Sequence, residues 1–274
     1  MMKTYKRLAA FAIVTLPLGH VPSAWAGDDA KGASPDSISV AAETQEFSRD
    51  FGSLRSVRIE YKDVIDSTTV VFTPVIGTRR SPANTETSIG GGLELYQKWG
   101  GNLSTRTAIF VSEDKQVFAK IDLAQDVTVG LGPQWTGTAG VRWAEYANGD
   151  KVLFLSAGAR HYFNRGSIAY RGTYVHPNGS DGYIAHLANL TLNDARGRGR
   201  TQLWLSYGGT AIDRGLLDGQ FRGSDYGGTL RRVQPLGNGR VDAVFVLGLT
   251  SYDNPFGRVW GKTAGIGLSL NLGD

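Results

Sequence analysis

The stretch Trp260-Gly261-Lys262-Thr263-Ala264-Gly265-Ile266-Gly267-Leu268-Ser269-Leu270-Asn271-Leu272 decides the fold. Trp260, Ala264, Ile266, Leu268, Leu270 and Leu272 share one parity, and Thr263, Gly265, Gly267, Ser269 and Asn271 share the other. A period of two is that of a β-strand with one apolar and one polar face. The same alternation runs back to about residue 54 in short segments separated by turn residues, with no helical period between them. Glycine is abundant, 37 of 274 residues, and supplies both the turns and much of the polar parity. The pattern specifies an all-β sheet that either sandwiches or closes on itself.

The N-terminus sets the compartment. Lys3, Lys6 and Arg7 form a positive region, Leu8 to Leu18 is one secretory apolar run long, and Ala24-Trp25-Ala26 matches a small-x-small cleavage site. The run is too short to cross roughly 30 Å of hydrocarbon. Residues 1–26 therefore read as a signal peptide cleaved after Ala26. Residues 27–50 are small, polar and mildly acidic, and read as a disordered periplasmic tail. Residues 51–274 carry the folded domain. There is no cysteine, so no disulfide framework or Cys-based zinc site is possible. The formal charge of +4 is modest and scattered, which gives nucleic-acid binding no support.

Fourteen strands are expected, within a range of 12–14. The first is Leu54–Tyr61, followed by Thr68–Ile76, Thr87–Trp99 and Leu103–Val111. Val117–Leu123 then sets Val117, Ala119, Ile121 and Leu123 against Lys120 and Asp122, and Val127–Trp135 and Ala139–Tyr146 form the next pair. Asn148-Gly149-Asp150 is a strong hairpin turn. Seven further strands reach the C-terminus, and the longest polar connection, Gly209–Asp225, separates the eleventh from the twelfth. An even number of strands with short periplasmic turns and longer outer loops is the rule for bacterial single-chain outer-membrane barrels.

A soluble β-sandwich would alternate too, but its polar face would be heavily charged. Here that face is rich in Gly, Ser, Thr and Tyr with scattered charges, as a lumen would be. Aromatic residues gather near strand ends: Trp99, Trp135, Tyr146, Phe163, Tyr174, Tyr207, Tyr252 and Trp260. Such girdles sit at the two membrane interfaces. The reading is an all-β, transmembrane, antiparallel up-and-down barrel in the cell outer membrane, with outer-membrane lipid as its surroundings.

Three runs carry a family resemblance: GGGLELYQKWGGNLSTRTAIF, VTVGLGPQWTGTAGVRWAEY and LSAGARHYFNRGSIAYRGTYV. Gly92, Leu93, Leu95 and Tyr96 lie in the first, Gly140, Arg142 and Trp143 in the second, and Gly158, Arg160 and Tyr162 in the third. In this order the sequence resembles the YaiO family of outer-membrane β-barrel proteins over about residues 54 to 210. The resemblance implies an outer-membrane barrel reached by signal-directed export and inserted by the barrel assembly machinery. It implies no catalytic residues. Many such barrels end on an aromatic residue that the assembly machinery reads; this sequence departs from that with Leu270-Asn271-Leu272-Gly273-Asp274.

The polar parities place Arg58, Arg106, Lys120, Arg142, Arg160 and Arg171 in the lumen, with Glu60, Glu94 and Asp122 on the same faces. Arg142, Arg160 and Arg171 come from three consecutive strands without an acid beside them, and Arg160 and Arg171 are expected nearly opposite each other. Arg106, Arg142, Arg160 and Arg171, with Tyr96 and Tyr162 as stacking faces and hydroxyls, are the candidate binding or selectivity residues. They suit a channel or guide for a polar or anionic solute, including a saccharide. The alternatives are a plugged structural or envelope-assembly barrel and an outer-membrane enzyme acting on lipid or surface glycan. For catalysis only His161, His176 and His186 remain after the signal peptide, with Ser180 and Asp181 near His176. No Gly-x-Ser-x-Gly or metal-binding His pair is present. The sequence therefore points to a barrel without enzymatic activity, bound metal or cofactor.

Overall fold

The structure is a computed structural model and describes residues 36–147, 149–179, 181–195, 199–208, 225–237, 240–252 and 257–272. The signal peptide reading lies outside them. Among the described residues there are fourteen strands and no helix. They are β1 (Ser37–Phe47), β2 (Gly52–Ile65), β3 (Thr68–Arg80), β4 (Thr85–Lys98), β5 (Leu103–Ser112), β6 (Ile121–Gly132) and β7 (Trp135–Glu145). The second half holds β8 (Lys151–Phe163), β9 (Gly166–Pro177), β10 (Tyr183–Asn193), β11 (Arg200–Tyr207), β12 (Tyr226–Leu236), β13 (Val241–Tyr252) and β14 (Val259–Asn271). Each strand pairs antiparallel with its sequence neighbours, and β1 pairs with β14, so the sheet closes.

The strand total agrees with the sequence reading, but two compensating differences lie behind it. The segment expected as a tail contains β1, whose register runs from Ser37 opposite Asn271 to Phe47 opposite Gly261 on one side, and along β2 on the other. Only Ile38 and Val40 mark its outward face as apolar; Ala42, Thr44 and Glu46 continue that parity with small or polar groups. Two apolar residues are too few to register as a strand by periodicity, yet the backbone pairs fully. Conversely, Val117–Leu123 and Val127–Trp135 are not separate strands. β6 is continuous through Gln125, which breaks the apolar parity but accepts a hydrogen bond from the Thr107 hydroxyl of β5 at 2.7 Å. A polar side chain on a lipid face is tolerated when a neighbour satisfies it.

Residues 113–120 form a connection that dips into the barrel mouth. Val117 and Phe118 are buried against Leu54, Phe110 and Val75, all lumen-facing. The Phe118 ring fills a notch at Gly77, where a Cβ would lie 2.5 Å from the ring. Lys115 Nζ donates to the Thr87 carbonyl at 2.6 Å, and the Gln116 amide donates to Glu86 Oε2 at 2.9 Å. Glu113 accepts from Lys115 and from the Ile89 amide, which holds its carboxyl below the usual range, the Lys115 hydrogen bond contributing most. Lys120, expected in the lumen, instead pairs at the rim with Asp114 at 3.2 Å.

The two ends of the barrel differ. Connections at the end holding both termini are short, the longest being residues 194–199, while the opposite end carries residues 208–225. That is the arrangement of an outer-membrane barrel with periplasmic termini. Outward residues are mostly apolar: Leu155 is 47% and Ile266 58% exposed. Trp99, Trp135 and Phe163 face outward at the terminal end, and Tyr174, Tyr207 and Trp260 do so at the other. Tyr146 and Tyr252, expected in the girdles, point inward instead. Tyr146 is buried beside Phe154 and Val175, and Tyr252 sits 6.3 Å from Phe47, because their parity at the strand ends is that of the lumen. Pro74, with no amide to donate, coincides with a gap in the β2–β3 ladder between Arg58↔Val75 and Tyr61↔Phe72.

Two outcomes test this architecture. Leu155→Arg, on the lipid face, should lower unfolding free energy in lipid vesicles by about 2–4 kcal/mol, while Ser156→Arg, facing the lumen, should cost far less; equal losses in urea titrations would reverse the facing. Deleting residues 37–47 should abolish the heat-modifiable gel mobility of the refolded barrel, because β2 and β14 would both lose their partner; a tail could be removed without that effect.

Candidate functional site

The lumen has two unlike walls. On the β4–β9 side, charged residues interlock. Arg106 Nε donates to Glu94 Oε2 at 2.8 Å, and its Nη1 donates to Asp126 Oδ2 at 3.0 Å. Arg171 Nη2 reaches the other oxygen of Asp126 at 3.2 Å. Arg142 grips Asp122 through Nε and Nη2, at 2.8 Å to Oδ1 and 2.5 Å to Oδ2. The Tyr96 hydroxyl donates to Glu94 at 2.5 Å. Arg106, Glu94 and Asp126 are each under 10% exposed, so these are buried charge pairs with multiple hydrogen bonds. Pairs of this kind offset their desolvation only when the remaining donors and acceptors are also met, as they are around Asp126.

The expected acid-free cluster is therefore corrected. Arg142 and Arg171 have carboxylates, and these come from β6, outside the three strands that carry the arginines. A long side chain reaches across neighbouring strands, which strand-by-strand parity does not capture. Arg160 and Arg171 are not opposite either: Arg160 pairs in register with Ala169, and Arg171 with Gly158. Arg160 is 1% exposed, donates to Ser167 Oγ at 3.2 Å and lies 5.7 Å over the Tyr162 ring. All six candidate residues thus face the lumen from β4, β5, β7, β8 and β9, and the structure gathers Tyr96, Arg106 and Arg171 into one network around Glu94 and Asp126.

Asp126 is the residue that sequence reasoning missed. It fell in the gap between two supposed strands, although Asp122, Ala124, Asp126 and Thr128 continue one polar parity without interruption. Gly140 of β7 makes room for it: a Cβ there would lie 2.1 Å from Asp126 Oδ1.

The opposite wall, β13–β14–β1, carries a strip of small groups beside Val244, Val246 and Glu43. Gly248, Thr263, Gly265, Gly267, Ser39 and Ala41 share the lumen parity. A Cβ at Gly265 would sit in ordinary contact with the Ala42 carbonyl, Val246 and Glu43 at 3.4–3.6 Å, whereas one at Gly267 would press on the Val40 carbonyl at 2.9 Å. Flanking this wall are Arg231 of β12, Arg200 of β11 and Arg58 of β2, each half-buried.

The histidines lie on the outward parity. His161 packs on Trp135 with ring centroids 4.6 Å apart, His176 stacks on Tyr174, and His186 stacks between Tyr170 and Tyr207. Ser180, near His176 in sequence, lies outside the described residues. No group of three His, Cys, Asp or Glu residues able to hold a metal occurs among the described residues.

Solved structures show the same architecture at low identity. A barrel described as the CymD monoaromatic hydrocarbon channel is similar with a TM-score of 0.62 and 7% identity, covering 88% of this chain and 89% of that one. A bacterial polysaccharide outer membrane secretin is similar with a TM-score of 0.51 and 8% identity, covering 87% of this chain and 99% of the other. At these identities the likeness speaks to the fold. The model of the YaiO membrane beta barrel domain matches residues 35–211, which include the newly found β1 and the whole charged wall, and the chain belongs to that family.

Proposed function

We propose that this outer-membrane barrel is a channel or guide for a polar or anionic solute, including a saccharide, reached after export and cleavage of the signal peptide at Ala26. The observation that carries the reading is the unlike pair of lumen walls. One is packed with ion pairs through Arg106, Arg142 and Arg171; the other carries a strip of small residues, Gly265, Gly267 and Ala41, beside half-buried arginines. A fixed wall facing a smooth one forms a path whose width is set by rigid groups. Charged and hydroxyl-bearing surfaces suit a hydrated solute, and Tyr96 and Tyr162 add aromatic faces that suit sugars. Nothing in the arrangement calls for bond-making chemistry, and the barrel is read as a non-enzyme.

A second reading has its own support. Residues 113–120 enter the mouth and seat Phe118 against Gly77, as a plug would. In that reading the barrel is structural or serves envelope assembly.

Planar-bilayer recording separates the two. An open path predicts steady single-channel conductance in the wild-type barrel, reduced in Gly265→Phe, whose ring would project from the smooth wall. A plug predicts conductance only after Phe118→Ala or removal of residues 114–119. The packed wall gives a stability outcome of its own. Arg106→Met strands the Glu94 and Asp126 carboxylates in a buried site and should cost about 3–5 kcal/mol in urea unfolding; a loss under about 1 kcal/mol, the scale of exposed pairs, would mean that water screens them.

A further inference from the structure

Three arginines stand apart from the ion-pair web. Arg231 on β12 pairs in register with Gln202, and Arg200 pairs with Val233, so the two arginines are diagonal neighbours on the lumen face of adjacent strands. Arg58 projects from β2 into the same space. Arg200, Arg58 and Glu60 all act on Arg231 electrostatically. Its one hydrogen bond to a side chain is to the neutral Gln202, at 3.3 Å. The acids facing this space are Glu43 beside Arg58 on β1, Glu60 on β2 and Asp242 on β13, and Lys62 adds a further base. Among the described residues, no carboxylate forms an ion pair with Arg58, Arg200 or Arg231.

Like charges on neighbouring strands repel. On the β4–β9 wall Arg106, Arg142 and Arg171 are paired with carboxylates, whereas the acids near Arg58, Arg200 and Arg231 form no ion pair with them among the described residues. Between these arginines runs the strip of Gly265, Gly267 and Ala41. A fork of guanidinium donors matches the geometry of an oxyanion, which can take two parallel hydrogen bonds from one arginine and satisfy a second at once.

We infer that Arg58, Arg200 and Arg231 form an anion-binding station in the lumen that takes the carboxylate or sulfate group of a solute, the best fit being an acidic saccharide whose ring rests against the Gly265–Gly267 wall. This deepens the channel reading by naming what the path recognises, and it places the recognition on the wall opposite Arg106, Arg142, Arg160 and Arg171. Binding at the station does not itself require the barrel to conduct.

The test uses the full-length barrel refolded in detergent, titrated calorimetrically with glucuronate and with sulfate, and with glucose as the uncharged control. Saturable binding of glucuronate or sulfate, and none of glucose, is expected. Arg231→Gln should weaken it by about tenfold or more, the size of one charge-assisted hydrogen bond, and Arg58→Gln with Arg231→Gln should abolish it. Arg231→Lys, which keeps the charge, should retain part of it and guards against a folding defect. Lys151→Gln, which removes a positive charge at the rim of β8, should leave it unchanged. Absence of saturable anion binding in the wild type, equal binding of glucose, or affinity unmoved in the double variant overturns the station. Bilayer recordings separate the two claims. Anion binding lost in Arg231→Gln in a barrel that never conducts retires the channel and keeps the station; conductance whose ion selectivity and anion affinity both ignore the double variant does the reverse.

Discussion

Everything in this molecule depends on the pairing of β1 with β14. In hydrocarbon an unpaired amide or carbonyl costs several kcal/mol, so a sheet can span a bilayer only when it has no edge. Here the edge is removed by joining segments more than two hundred residues apart, Ser37–Phe47 to Val259–Asn271. The neighbouring pairs are hairpins between consecutive strands, whereas this one joins the first strand to the last. Long-range pairing of this kind is slow to form. The modest side chains of β1 are enough for closure, which is held by backbone hydrogen bonds on both sides. Apolar side chains add little beyond Ile38 and Val40.

With the backbone satisfied, the side chains are free to divide by parity, and the lumen inherits whatever the outward face excludes. Two different solutions appear around the same barrel. On β4 to β9 the charges are buried and answered in pairs, with Asp126 shared by Arg106 and Arg171. On β13, β14 and β1 a strip of glycine, alanine and serine runs beside larger groups. The inward connection at residues 113–120 belongs with the first, since Phe118 and Val117 extend the packed side toward the mouth.

Much of the fold was legible because a barrel strand repeats a two-residue rule, and strands such as Trp260–Leu272 obey it over their whole length. Legibility failed where the rule thins. β1 has two outward apolar residues and then Ala42, Thr44 and Glu46, and β6 carries Gln125 on its lipid face, held by Thr107 on the neighbouring strand. Periodicity reads single strands, and both cases are decided by neighbours. The same holds for the site. The parity of Arg106, Arg142, Arg160 and Arg171 was readable, but their partners were not, because acids on β4 and β6 meet them through side-chain reach. Of the arginines with no ion-pair partner among the described residues, Arg200 and Arg231 sit on consecutive strands, and Arg58, on β2, joins them only once the barrel closes.

Asp126 gives the packed wall a particular grammar. One carboxylate serves arginines on β5 and β9, and it occupies space that Gly140 on β7 leaves vacant. Four positions on four strands are thereby tied to a single choice of residue. A neutral residue at 126 releases two cations together, and a side chain at 140 displaces the anion both of them need. Substitution at these positions is consequently a matter of sets: in related barrels, acid at 126, arginines at 106 and 171 and glycine at 140 should appear or vanish together, and the small wall across the lumen should drift free of them.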